Sequence, residues 1–407
     1  MVMAQGKPAP AKPAAPAAKP AAGKEAIKIG AIYDFAGACY MYSDSAVNGI
    51  RIAIDEINAA GGILGRKLDL TVSDTEAKVD VAVREVKDLI LREKVNFLTG
   101  PCSSATALAI QVVHSEYKVL RITNVANTEG QTVDKFTPYI VQVVPNTYME
   151  GTAATRYLAK KVPTAKKFCT IGPDYDYGRR EEAAFIEEIK KLVPDSEILY
   201  EAWPKLGETD FTAFITAIMA KKPDAIHGSI FGVDLVAFTK QAKPYGFFEK
   251  FPMMALYDLP VLKALEQDAP DGAMGFGMGC FFMDPNPRMM EFVDKFKKIR
   301  ATYPEAWAVM GYDSMYLLKA ACEKAKTIET EAVIKAMEGM TFDSLRGKIT
   351  IRALDHMGSV PVYQGVITKD PLYPFKIWKD IARVPGDQIW RSEASVREVW
   401  KKTGVTR

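Results

Sequence analysis

From Ile27 onward, short runs of consecutive apolar residues alternate with longer stretches in which apolar side chains recur every three or four positions. The first pattern predicts buried strands and the second amphipathic helices. Strands are predicted over 27–32, 68–72, 95–99, 120–123 and 140–144. Val47, Ile50, Ile54 and Ile57 mark a helix that Ser43 or Ser45 can cap and Gly61-Gly62 ends, and 81–92 carries another. After Pro145-Asn146 a second series follows, with helices over 151–160, 178–191, 211–221 and 234–245 and strands over 167–171, 197–202, 225–230 and 252–256. Strands alternating with helices predict parallel sheets covered on both faces. The fold class is therefore α/β, with two doubly wound parallel-sheet lobes and a cleft between the carboxyl ends of their strands.

The rest of the chain continues neither series cleanly. Helices are predicted over 286–301, 304–326 and 330–339, and 347–351 with 360–367 reads as a hairpin. The chain then returns to the first lobe and crosses again near 352–358, which makes a multi-crossing hinge. The division expected is 1–24 as a tail, 25–145 plus 275–351 as the first lobe, and 146–274 plus 352–407 as the second.

Charge and composition narrow the function classes. Of 53 Lys and Arg, four lie within 1–24, which holds no acid, so the remainder is 49 basic against 50 acidic residues. A neutral body gives no support to a nucleic-acid-binding face. The longest apolar runs, such as 273–283, fall far short of the roughly 18 residues of a membrane span. Residues 1–24 are rich in Ala, Pro and Lys and read as an extended spacer. Val2-Met3-Ala4 before Gln5 resembles the small-residue end of a secretory signal without its apolar core; either a start methionine has replaced that signal or the protein is cytoplasmic. The five cysteines, odd in number and without CxxC spacing, indicate neither a metal site nor a disulfide framework.

Catalytic motifs are missing too: there is no GxSxG, HExxH or GxxxxGK[ST], and no cofactor is implied. The run Gly272 to Gly279 lacks dinucleotide-binding spacing and reads as strand or hinge. Ser103 or Ser104 with His114 would be about 15 Å apart along a helix, too far for a nucleophile and its base. What remains are two polar turns at strand ends. Gly100-Pro101-Cys102-Ser103-Ser104 opens a helix, and Asn124-Val125-Ala126-Asn127-Thr128 follows the next strand. Such turns present hydroxyls and N–H groups to a small carboxylate, although Ser103 or Ser104 can equally serve as a helix N-cap. Tyr40 and Tyr42 in one lobe, and Tyr175 and Tyr177 in the other, stand at strand ends where their rings can close over a ligand or simply line a surface.

Several marks in order resemble the leucine-isoleucine-valine type of periplasmic binding protein, the solute-binding component of ABC uptake systems. They are Asn48-Gly49, the run Ile57 to Leu68, Gly100 to Ser104, Asp176-Tyr177-Gly178, Asp210-Phe211 and Gly311-Tyr312-Asp313, and the likeness spans 27–367. The resemblance implies a type I periplasmic binding protein fold and a monomeric periplasmic receptor that hands a small carboxylate-bearing ligand to a membrane permease. It also implies that Ser103, Ser104, Ala126, Asn127 and Thr128 hold the carboxylate and that Tyr42 covers the ligand. Tyr177 and Phe231 would contribute from the second lobe, and Asp258 would receive an ammonium. An apolar or branched-chain amino acid is the implied ligand; an aromatic or aliphatic carboxylate without an amino group, or a cytoplasmic ligand-sensing regulator, are the other readings. The chain departs from the family in three places. Gly-Pro-Glu-Gly is missing around Asp258, Asn127 replaces a threonine unless Thr128 takes its place, and Cys102 has no cysteine partner within 73–78, so it reads as free.

Overall fold

The computed structural model describes residues 25–406, so the spacer and the signal-like end within 1–24 lie outside the described residues. The strands are β1 (Ile27–Tyr33), β2 (Leu68–Asp74), β3 (Phe97–Thr99), β4 (Leu120–Thr123), β5 (Ile140–Gln142), β6 (Lys167–Ile171) and β7 (Glu197–Ala202). They continue as β8 (Ala225–Gly228), β9 (Met253–Ala255), β10 (Met274–Gly277), β11 (Thr341–Ser344), β12 (Gly347–Thr350), β13 (Val362–Thr368) and β14 (Ile377–Val384). The first sheet is parallel throughout, in the order β2-β1-β3-β4-β5, with Ile29 of β1 beside Leu70 on one side and Phe97 on the other. β1, β3, β4 and β5 are almost wholly buried, which is why they read as unbroken apolar runs rather than alternating ones.

The second sheet runs β14-β13-β10-β9-β8-β6-β7 and is parallel except that β13 and β14 join its edge antiparallel. Its glycine-rich strand β10 has a packing reason. A Cβ at Gly275 would lie 2.3 Å from the Trp378 ring, so glycine lets that indole lie flat across the sheet. The hairpin expected from 347–351 and 360–367 does not form: β12 pairs with β11, while β13 pairs with β10 and β14. No element is predicted beyond 367, yet β14 and the helix Glu393–Thr403 occupy that segment. β14 sits at the sheet edge with only two of its eight residues fully buried, so its apolar signal is diluted.

Asp313 and Arg346 pair inside the protein at 3.1 Å, and Arg346 also donates to the carbonyl of Val143, where the chain first leaves the five-stranded sheet. Beside it, Gln142 and the segment at His356 to Gly358 exchange backbone hydrogen bonds, so outgoing and returning crossings run together. The 275 boundary falls inside β10 of the second sheet. The helix Glu393–Thr403 packs back on the first lobe through Val396 and Trp400, against Val133, Phe136 and Ile140.

Two of the sequence marks are explained by helix packing. The helix Tyr40–Ala59 lies against Ala306–Ala325 so closely that a Cβ on Gly49 would fall 1.9 Å from the Ala308 carbonyl oxygen. On Gly311, a Cβ would fall 2.3 Å from that of Ala46. Asn58 docks the helix end to β2 by bonding both the N–H and the carbonyl of Leu68. Ser43 and Ser45 do not cap: the helix starts at Tyr40, three residues before the first of them, and the Ser43 hydroxyl donates to the carbonyl of Asp34.

Gly49→Ala should therefore force the two helices apart and destabilise the protein by about 1–3 kcal/mol, measured as a lower urea midpoint. Arg346→Met strands the buried Asp313 carboxylate and should cost about 3–5 kcal/mol in the same measurement; an unchanged midpoint would show that the pair does not hold the crossing.

Candidate functional site: an aromatic cavity between the lobes

A cavity with ≈ 320 Å³ of atom-free space lies between the carboxyl ends of the two sheets. Five aromatic side chains wall it: Tyr42 and Trp307 from helix starts in the first lobe, and Tyr175, Tyr177 and Phe231 from helix starts in the second. Ring centroids are 4.7 Å apart for Tyr42 and Trp307 and 5.4 Å for Tyr177 and Phe231. Tyr42 touches Phe231 across the cleft at 5.9 Å. Cys39, Cys102, Val125, Asn127 and Leu256 complete the wall, and no side chain of the wall carries a positive charge. The buried Tyr42 hydroxyl lies beside Asp258 and that of Tyr177 beside Glu150, close enough for each to act on the neighbouring carboxyl.

The turn expected to take a ligand carboxylate is already occupied by one from the chain itself. Asp34, at the end of β1, accepts the N–H of Cys102 at 2.8 Å and of Ser103 at 2.7 Å through one oxygen. Its other oxygen takes the hydroxyls of Thr75 and Thr106. Ser103 stands at the N-cap position without capping through its side chain. The structure does not bring Ser103, Ser104, Ala126 or Thr128 to the cavity wall, and of the two polar turns it brings Cys102, Val125 and Asn127. Ala126 is bound through its N–H to Pro101 and through its carbonyl to Gln131. Thr128 caps the short turn Glu129–Gln131. Between Asn127 and Thr128, Asn127 is therefore the residue that faces the cavity.

Both turns hang on Arg121 of β4, a wholly buried guanidinium that forms no ion pair with an acid among the described residues. It donates to the Gly100 carbonyl, to Gln111 and to Gln131, and it meets His114. Burial lowers its pKa to about 9, so it still carries its charge at neutral pH. His114 is thus structural; His227 pairs with Glu182, and His356 with the carbonyl of Ile140.

Two buried acids stand behind the wall. Asp258 caps the helix Leu259–Leu265 and accepts the Trp307 indole N–H at 3.3 Å. Burial, reinforced by the charge of Glu305, raises its pKa to about 8. Glu150 receives the Asn127 amide on both oxygens at 2.9 Å, and burial holds its carboxyl well above the usual range. Asp258 thus reaches the cavity through Tyr42 and Trp307 rather than forming part of its wall. Asp34, Glu150, Cys39 and Trp307 were not among the residues singled out in sequence. The only signal for any of them was an acid at the end of β1.

The family model described as periplasmic binding protein matches residues 26–370. The leucine-, isoleucine-, valine-, threonine-, and alanine-binding protein of Pseudomonas aeruginosa is 24% identical over 328 residues, 80% of this chain and 85% of that one. The leucine binding protein of Thermotoga maritima has the same fold, with a TM-score of 0.77 at 22% identity over 89% of this chain and 99% of that one. A solute binding protein of an ABC transporter from Rhodopseudomonas palustris BisB5, in complex with 3,4-dihydroxy benzoic acid, gives 0.80 at 24% identity over 89% and 98%. A two-lobed α/β chain with its cavity at facing strand ends, matched by one family model over nearly all described residues, belongs to the periplasmic binding protein family.

Proposed function

We propose that this chain is the extracytoplasmic receptor of an ABC uptake system and that its ligand is an apolar amino acid, passed on to a membrane permease. One observation carries the choice of ligand. An aromatic wall without any cation is backed by two buried acids, Asp258 and Glu150. Ring faces attract an ammonium group, and its charge would let Asp258 ionise inside the protein. The side chain of the ligand then packs on Phe231, Leu256 and Val125, and its carboxylate meets the hydroxyls of Tyr42 and Tyr177, which turn to it from Asp258 and Glu150. Asn127 orients Glu150. Ser103, Ser104, Ala126 and Thr128 shape the two turns from behind.

An aromatic acid is the second reading, favoured by the flat walls and by the dihydroxybenzoate bound to the Rhodopseudomonas palustris protein. For that ligand Asp258 must stay protonated, so that it donates instead of repelling. The two readings have opposite proton linkage. With Asp258 at about 8, ammonium binding expels its proton, and amino-acid affinity should rise with pH by up to about tenfold per unit until that pH is reached. Affinity for an aromatic acid should fall as pH rises through the same point. Calorimetric titration of leucine and of benzoate across this range separates them. Asp258→Asn should weaken leucine by at least about 30-fold, or ~2 kcal/mol, and flatten its pH profile. Binding of neutral sugars in place of either acid would defeat the proposal.

A further inference from the structure

Cys39 and Cys102 are far apart in sequence, and no spacing rule joins them. Folding brings them together. Cys39 ends the short helical turn that follows β1, and Cys102 lies in the turn between β3 and the helix Ser104–Glu116. Their sulfurs lie within 4.8 Å of each other and of an Asp34 carboxylate oxygen, and both thiols face the cavity. Both are free thiols in this structure, as expected for Cys102, and the cysteine beside it stands after β1 rather than in 73–78.

We infer that Cys39 and Cys102 are a disulfide pair, closed by exchange with a small-molecule disulfide, that fastens together the two first-lobe loops under the ligand cavity. A bonded pair is about 2.05 Å apart, so closure needs the sulfurs to rotate toward each other while both loops stay where Asp34 holds them. Asp34 fixes Cys102 directly through its backbone N–H, and fixes the helix that follows Cys39 through its own carbonyl and Ser43.

The exchange balances in two steps. One cysteine thiolate attacks the S–S bond of oxidised glutathione and releases one glutathione thiol. The second thiolate then attacks the mixed disulfide, forms the Cys39–Cys102 bond and releases the other thiol. Both electrons and both cysteine protons leave with the reagent or the solvent. Burial, with Cys39 and Asp34 beside it, pushes the Cys102 thiol well above its ordinary pKa in the closed form, where Tyr175 of the second lobe covers the pair. Exchange therefore proceeds while the cleft is open. An oxidising compartment would keep the bond; only that setting rests on the function proposed above, and the chemistry can be tested without it.

The test uses the purified full chain without added ligand. It is incubated with oxidised glutathione, unfolded in iodoacetamide and mapped by mass spectrometry, with a reduced sample alongside. The result expected is a chain two hydrogens lighter in which the Cys39 and Cys102 peptides are joined, with a Tm several degrees above that of the reduced protein. That increment should vanish equally in Cys39→Ser and Cys102→Ser. Alkylation of both cysteines after oxidation, glutathione retained on either, or linkage to Cys169, Cys280 or Cys322 overturns the inference, and none of these readouts depends on how the variants fold. A cross-linked chain that ignores amino acids keeps the disulfide and rejects the proposed ligand; one that binds them with both thiols alkylated does the reverse.

Discussion

One oxygen of Asp34 accepts the N–H groups of Cys102 and Ser103, and the other accepts the hydroxyls of Thr75 and Thr106. A carboxylate with no exposure is tolerable because all four donors converge on it. The end of β1, the loop after β2 and the turn after β3 are thereby locked to one another, and the cavity is built on that lock. It also changes what the polar turn can offer. Two donors expected to meet a ligand anion are spent inside the protein, and what faces the cavity instead is rings and phenolic hydroxyls.

Arg121 complements Asp34 on the same helix, Ser104–Glu116. Its donors reach the Gly100 carbonyl and Gln131, and Gln131 in turn holds Ala126. Buried charges paired mostly with neutral groups cost desolvation, and they make little sense as stabilisers alone. Their effect is positional: both turns are held on one frame, facing Tyr175, Tyr177 and Phe231 of the second lobe across the cavity.

Closure and electrostatics are linked at Asp258. Its donors are the Trp307 indole, the Val261 N–H and the Tyr42 hydroxyl, which do not offset its burial, and Glu305 adds repulsion. The pKa of Asp258 is thereby raised to about 8, which is what ties it to the charge of the ligand proposed above. Around it, the crossings at Gln142, His356 and Arg346 bond to each other, so the lobes share a hinge of paired strands rather than a loose linker.

Local pattern sufficed for most strands and helices up to residue 339 because they are long enough, or buried enough, for apolar periodicity to show; the short helices Phe247–Lys250 and Leu259–Leu265 were missed. Gly49, Gly311 and Asp313 stood out in sequence as family marks; their reasons, a close helix crossing and a buried ion pair, are tertiary. The fate of 347–384 was not legible, since strand pairing depends on which edge of a distant sheet is open, and β13 chose β10 and β14. Of the residues proposed for the site, Tyr42, Asn127, Tyr177 and Phe231 line the cavity because they sit at strand ends or helix starts, positions the chain spells out locally. Ser103 and Thr128 look equally available in sequence, yet their neighbourhoods are settled by Asp34 and Gly130, and Trp307 arrives from almost the other end of the chain. The sequence by itself determined the two α/β lobes and the small polar turns between them. Only the tertiary structure decided which donors those turns had left, because hydrogen-bonding capacity is shared among residues that meet solely in the folded chain.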